Sequence, residues 1–160
     1  MTAPRLHGLH HVKLPVSDLD TSLSWYQRVF DAEYLSQFDH YDRGGYRYAV
    51  ILRLPGVDIP IELRWAPRAA AATIGYDPVQ FVAGDTDDLL AWITHLDGLG
   101  IEHSPLITAL AGELLIFADP DQTYIHLLTI PEGGIDAIKM NSDAAEPQGP
   151  WIAPEIMRHP

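Results

Sequence analysis

The chain has 160 residues, 47% of them hydrophobic and 20% charged, which suits one domain whose core needs no covalent staples. It has no cysteine, which excludes disulfides, thiolate-bound zinc, iron–sulfur clusters and thiol catalysis; any metal must use His, carboxylate, amide or water ligands. A net charge of −12 disfavours nucleic acid and favours cations, although solubility alone also accounts for it. No apolar run approaches the roughly 18 residues of a membrane span. The opening "MTAPRLHGLHH" lacks the apolar core of a signal peptide, so a soluble cytoplasmic protein without a membrane partner is expected.

"GLHHVKLPV" alternates, with Val12, Leu14 and Val16 on one parity and His11, Lys13 and Pro15 on the other, as a strand with one buried face does. "SDLDTSLSWYQRVF" follows as a helix. Ser17 and Asp20 have capping-box spacing, and Leu19, Leu23, Tyr26 and Phe30 recur at helical intervals. "EYLSQFDHY" and "YRYAVILRL" are strand-rich runs around a "DRGG" turn, and "IPIELRW" is a strand after the turn "PGVD". "APRAAAATIGYDP" reads as a small-residue linker. The order then recurs. "VQFVAG" is a strand, and "DTDDLLAWITHLDGLG" is a helix with Leu89, Ile93 and Leu96 on one stripe and Gly100 as its stop. "IEHSPLITAL", "GELLIFA" and "TYIHLLTI" are strands, the last two joined by the turn "DPDQ". The fold class is therefore α+β, built from two β-α-β-β-β modules at residues 8–65 and 77–130, with a linker at 66–76. Together they make one domain over residues 1–130. Residues 131–160 form a tail with little structure of its own, from which Trp151, Ile152 and Ile156 offer apolar groups for docking.

Parity also places the polar groups. In "IPIELRW", Ile61, Leu63 and Trp65 share one face and Glu62 and Arg64 the other. In "VQFVAG", Gln80 lies opposite in parity to Phe81; in "YIHLL", His126 lies opposite to Ile125 and Leu127. His11 and Glu62 thus occupy the first and last strands of module one, and Gln80 and His126 those of module two, all on the face left uncovered by the helix. Paired modules of this order, with "LHHVKLPVSDLDTSLSWYQRVF" opening the first and "DPDQTYIHLL" closing the second, resemble the vicinal oxygen chelate superfamily over roughly residues 8 to 130. That superfamily includes glyoxalase I, extradiol dioxygenases, fosfomycin-resistance proteins and bleomycin-binding proteins. The resemblance implies curled mixed sheets around a central cavity with helices on the outer face. It implies metal ligands at His11, Glu62, Gln80 and His126. Two positions depart from the family pattern: position 80 is usually His, and position 126 is commonly Glu.

Two imidazoles and a carboxylate on converging strands suit a divalent Fe, Ni, Zn, Co or Mn ion with positions left open for substrate oxygens. The ion would act as a Lewis acid. Gln80 serves either as a weak fourth ligand through its carbonyl oxygen or as a hydrogen-bond donor to substrate. Glu62 is the candidate catalytic base, by resemblance; with His at 126 the second carboxylate of the usual arrangement is missing. Each of these side chains taken singly is more often a solvated or structural strand residue than a ligand. His10 shares the parity of Val12 and is the poorer candidate, and His7, His40, His95, His103 and His159 read as surface or loop residues. "DRGGYRY" is a candidate lip over the cavity through Arg43, Tyr46, Arg47 and Tyr48, or merely an edge hairpin; Lys13 is a candidate substrate contact or merely a rim residue. Asp85, Asp87 and Asp88 need no explanation beyond the helix dipole. The expected function is a small metalloenzyme of glyoxalase-like lyase, isomerase or dioxygenase type, acting on a small-molecule substrate as a homodimer. The alternative is a metal-free acidic protein that sequesters a cationic ligand, as bleomycin-binding proteins do, with Trp65, Tyr46 and Tyr124 lining its groove.

Overall fold

The computed structural model describes residues 3–109, 111–139 and 151. The fold is α+β, and the chain divides into two units, Met1–Ala72 and Thr73–Pro160.

In the first unit, β1 (Val12–Val16) leads into α1 (Leu19–Phe30). Two short strands follow, β2 (Glu33–Tyr34) and β3 (His40–Tyr41), then the longer β4 (Arg47–Arg53) and β5 (Ile61–Trp65). The mixed sheet has the order β1-β5-β4-β2, with β3 also pairing β4. Its first and last strands run parallel, Val12 opposite Ile61 and Val16 opposite Trp65. Leu14, Val16, Ile61 and Leu63 are buried, as are Leu19, Leu23, Tyr26 and Phe30 of α1, so the two apolar periodicities form one core. Trp25 meets Tyr26 and Phe30 edge-on, with centroids 5.0 and 6.0 Å away. The helix cap differs from the expected Ser17/Asp20 box. Asp18 is the N-cap, in extended backbone, and its Oδ1 accepts from the Thr21 N–H at 2.7 Å; its position starts the helix two residues after Ser17.

The second unit repeats the plan. β6 (Gln80–Ala83) precedes α3 (Thr86–Leu99), the helix α2 (Pro67–Ala72) having closed the first unit. Then come β7 (Ile107–Ala109), β8 (Gly112–Ala118) and β9 (Tyr124–Thr129), in the sheet order β6-β9-β8-β7. Again the first and last strands are parallel, here with Gln80 opposite His126. Asp85 caps α3 through the Asp88 N–H at 3.0 Å, and Gly100 ends it in the left-handed region at φ 67°. Leu89 and Leu96 are fully buried, while Ile93 is only half-buried, and Trp92 stacks on Phe117.

Four sequence expectations change. The supposed linker contains α2, because four consecutive alanines after Pro67 at the first helical position favour a helical turn over coil. "EYLSQFDHY" is not continuous strand but is broken by a 3-10 turn at Ser36–Phe38. "IEHSPLITAL" keeps only β7 and a single bridge from His103 to Phe117, since Pro105 cannot donate within a ladder. The tail has a 3-10 turn at Gly134–Ala137, and Trp151 packs on the apolar cluster of Ile107, Leu114 and Ile116. Ile152 and Ile156 lie outside the described residues. Among the described residues no helix is long and apolar enough to cross a membrane.

Candidate functional site

In the first unit, the parallel register sets Lys13 opposite Glu62 and leaves His11 just ahead of β1. Glu62 has no exposed surface, although it sits on the sheet face away from α1. Its burial is tolerated because Arg64, two residues along the same strand and therefore on the same face, reaches back in a fork. Arg64 Nε donates to Glu62 Oε1 at 2.6 Å, and Nη2 lies 2.5 Å from the same oxygen. The guanidinium in turn lies over the Tyr48 ring, 5.0 Å from its centroid. Glu62 Oε2 is different. His11 Nε2 stands 3.1 Å from it and Lys13 Nζ 3.8 Å, but it has no hydrogen-bond partner and is shut off from solvent. His11 also meets His10, Nδ1 to Nδ1 at 2.7 Å, so His10 supports the ring rather than reaching Glu62.

A bulge explains how Tyr48 arrives there. His40 pairs with Ala49 but Tyr41 pairs with Arg47, so Tyr48 is an extra residue in β4. The parity flips at that point. Arg47 turns instead to the helix side, where it pairs with Asp20 of α1, approaches Asp39 at 3.5 Å and donates to Tyr34 at 3.1 Å. Tyr46 packs edge-on against Trp65. The expected lip of Arg43, Tyr46, Arg47 and Tyr48 is therefore not one patch: neighbours along the strand face opposite ways, and the bulge decides that Arg47 takes the helix side and Tyr48 the side of Arg64.

In the second unit, Gln80 Nε2 lies 3.4 Å from His126 Nδ1 and donates to Asp77 Oδ2 at 3.1 Å. Asp77 Oδ2 is itself 3.3 Å from His126 Nδ1. A proton on Nδ1 directed at Asp77 leaves the Nε2 lone pair free, the arrangement that metal-binding histidines share. That Nε2 is buried and without a hydrogen-bond partner. Burial pushes the His126 imidazole below its ordinary value, and the Asp77 carboxylate opposes this only in part; the shift favours the neutral ring, the form that coordinates. The four residues read from the sequence thus form two pairs, His11 with Glu62 and Gln80 with His126, one in each unit. Within neither unit do three His, Cys, Asp or Glu side chains gather as a metal-binding group, among the described residues. Arg64 and Asp77 are the partners that sequence reasoning passed over as site residues. The spacing of two from Glu62 was the available signal for Arg64. Asp77 stood at the very start of module two, ahead of its first strand, and gave none.

Two β-α-β-β-β units, each joining its first and last strands in parallel and carrying polar side chains on that strand pair, define a duplicated-module protein of the vicinal oxygen chelate type. The chain belongs to the glyoxalase/bleomycin resistance protein/dioxygenase superfamily, whose family model matches residues 8–127. Several solved structures share the fold. The fosfomycin resistance protein FosX of Listeria monocytogenes, complexed with Mn(II) and sulfate, is 19% identical with a TM-score of 0.62, covering 81% of this chain and 98% of its own. A glyoxylase/bleomycin resistance protein/dioxygenase domain from Frankia sp. EAN1pec is 23% identical with a TM-score of 0.61, covering 79% and 100%. A lactoylglutathione lyase from Agrobacterium tumefaciens is 16% identical with a TM-score of 0.57, covering 79% and 96%. No curated protein sequence matches the chain.

Proposed function

We propose that the protein is a small metalloenzyme in which the two modules act as one domain, paired within a chain or across a homodimer. His11, Glu62 and His126 would hold a divalent ion, with the Gln80 carbonyl oxygen as a weak fourth ligand. The observation that carries this reading is a matched pair of orphans. Glu62 Oε2 and His126 Nε2 are buried polar atoms without hydrogen-bond partners, and they stand on equivalent last strands of the two modules. Leaving such atoms unsatisfied costs about 1–3 kcal/mol each, and coordination to a cation would remove that cost for either. The burial that favours a neutral His126 and the Asp77 partner at its Nδ1 fit the same role. The Mn(II)-bound FosX, which shares the fold, adds support for a divalent ion.

Bound there, the ion would supply Lewis acidity to neighbouring oxygens of a small organic substrate. Glu62 would present only Oε2, because Arg64 holds Oε1, so any proton it accepts must reach that single oxygen. The reaction class is lyase, isomerase or dioxygenase, in keeping with the family. A metal-free ligand-sequestering protein is the second reading. It draws on the Arg64 fork, which already neutralises Glu62, and on the net charge of −12.

The deciding experiment is metal analysis of tag-free protein, with thermal shifts on addition of Fe, Ni, Zn, Co or Mn. Stoichiometric ion and a raised Tm, both lost in a His11→Ala/His126→Ala variant, are expected, since a ligand of the native state must stabilise it. Absence of bound ion and of any shift supports the sequestering reading.

A further inference from the structure

We propose that Trp151 sets ligand preference on the His126 face, forming with Tyr124 an apolar wall that takes a ring-sized apolar group of the ligand. The inference rests on the reading above in one respect, that ligands approach Nε2 of His126. Register identifies the face. Ile116 stands directly opposite His126, Ala118 opposite Tyr124 and Leu114 opposite Leu128, and residues opposed across a ladder share a face. Phe117, of the other parity, stacks on Trp92 of α3, so the even-numbered side chains of β8 and β9 point away from that helix. Trp151 packs on Ile107, Leu114 and Ile116, and its ring lies 6.0 Å from that of Tyr124. The indole therefore sits on the His126 side of the sheet. Ile116 is at once the neighbour across from His126 and part of the cluster that carries Trp151.

His126 divides this face. On its β6 side stand Gln80, opposite it in the ladder, and Asp77, both close to Nδ1. The two ring nitrogens diverge, so Nε2 turns away from those polar groups, and it has no hydrogen-bond partner. On the β8 and β7 side the cluster under Trp151 is wholly apolar. A ligand atom at Nε2 thus has polar groups on one flank and aliphatic and aromatic carbon on the other. Trp151 is only half-buried, so part of its ring stays open, and a second ring placed there gains both burial and an aromatic contact. Trp151 lies beyond residue 127, where the family match ends, so the wall is an addition to the matched modules. All of these residues belong to the second unit.

The test uses the full chain without added ion and two alkylating probes, iodoacetamide and its N-benzyl derivative, which share a reactive carbon and differ by a ring. The chain has no cysteine to consume them. Their rates at His126 are followed by peptide mapping, and their ratio is compared with that at free N-acetylhistidine. The ratio at His126 should favour the benzyl probe by about fivefold over the free amino acid, the effect of one aromatic contact. Trp151→Ala should abolish that preference and Trp151→Phe should keep most of it. Where Trp151→Ala fails to fold, Trp151→Leu, which keeps an apolar anchor but no ring, carries the comparison. A ratio equal to that of N-acetylhistidine, a preference that survives loss of the ring, or a His126 that neither probe modifies overturns the proposal, and ion uptake still decides the metal reading. No ion uptake, with the expected ratio, overturns the metal reading and leaves the wall in place.

Discussion

Arg64→Ala tests the account of the Glu62 site most directly. The substitution removes both nitrogens that hold Oε1 and leaves a carboxylate with no exposed surface. Removing one partner of a buried ion pair costs about 3–5 kcal/mol, because the remaining charge stays desolvated. Two features put this case at the lower end. The Arg64 side chain is already 34% exposed, so water re-enters its place readily, and Lys13 stands 3.8 Å from the other oxygen. A loss of about 3 kcal/mol is expected, which in a chain of this size lowers the Tm by roughly 6–12 °C. Urea and thermal unfolding at pH 7, in chelator-treated buffer, provide the measurement. The companion variant Glu62→Gln/Arg64→Met deletes the stranded charge as well and should recover most of the loss. A cost below about 1 kcal/mol for Arg64→Ala, the range of a solvated surface pair, would refute the reading of Glu62 as a buried carboxylate neutralised by Arg64.

Three further outcomes follow from local geometry. The Thr21 backbone N–H holds the Asp18 carboxyl below its ordinary value, so the cap's contribution is complete above the unfolded value of 3.8 and is lost as pH falls through the folded one. Asp18→Asn, which caps without titrating, should therefore flatten the acid limb of the unfolding curve. Gly112 has φ 134°, and a Cβ there would stand 2.7 Å from the Thr129 carbonyl oxygen and hydroxyl. Gly112→Ala should cost about 2 kcal/mol or more by strain and clash, read from the urea midpoint. Trp151→Ala removes the ring that lies 6.0 Å from Tyr124 and should cost about 1 kcal/mol, with faster amide hydrogen exchange at Tyr124 in the variant as the check.

Much of this architecture was legible in the residues alone. Alternation in "VKLPV" and "IELRW" and the helical stripe of Leu19, Leu23, Tyr26 and Phe30 determined β1, β5 and α1 and the faces they bury. Repetition of that order determined the duplicated plan, and parity set His11 with Glu62 and Gln80 with His126. These features depend on periods of 2 and 3.6, which the backbone imposes locally. Tertiary structure alone decided the rest. The bulge at Tyr48 reversed the parity of β4, because an unpaired residue arises from how two strands register and leaves no pattern within either one. The Arg64 fork on Glu62 and the approach of Asp77 to His126 likewise depend on which side chain reaches which atom. Such distances belong to the folded strand pairs, and no spacing along the chain states them.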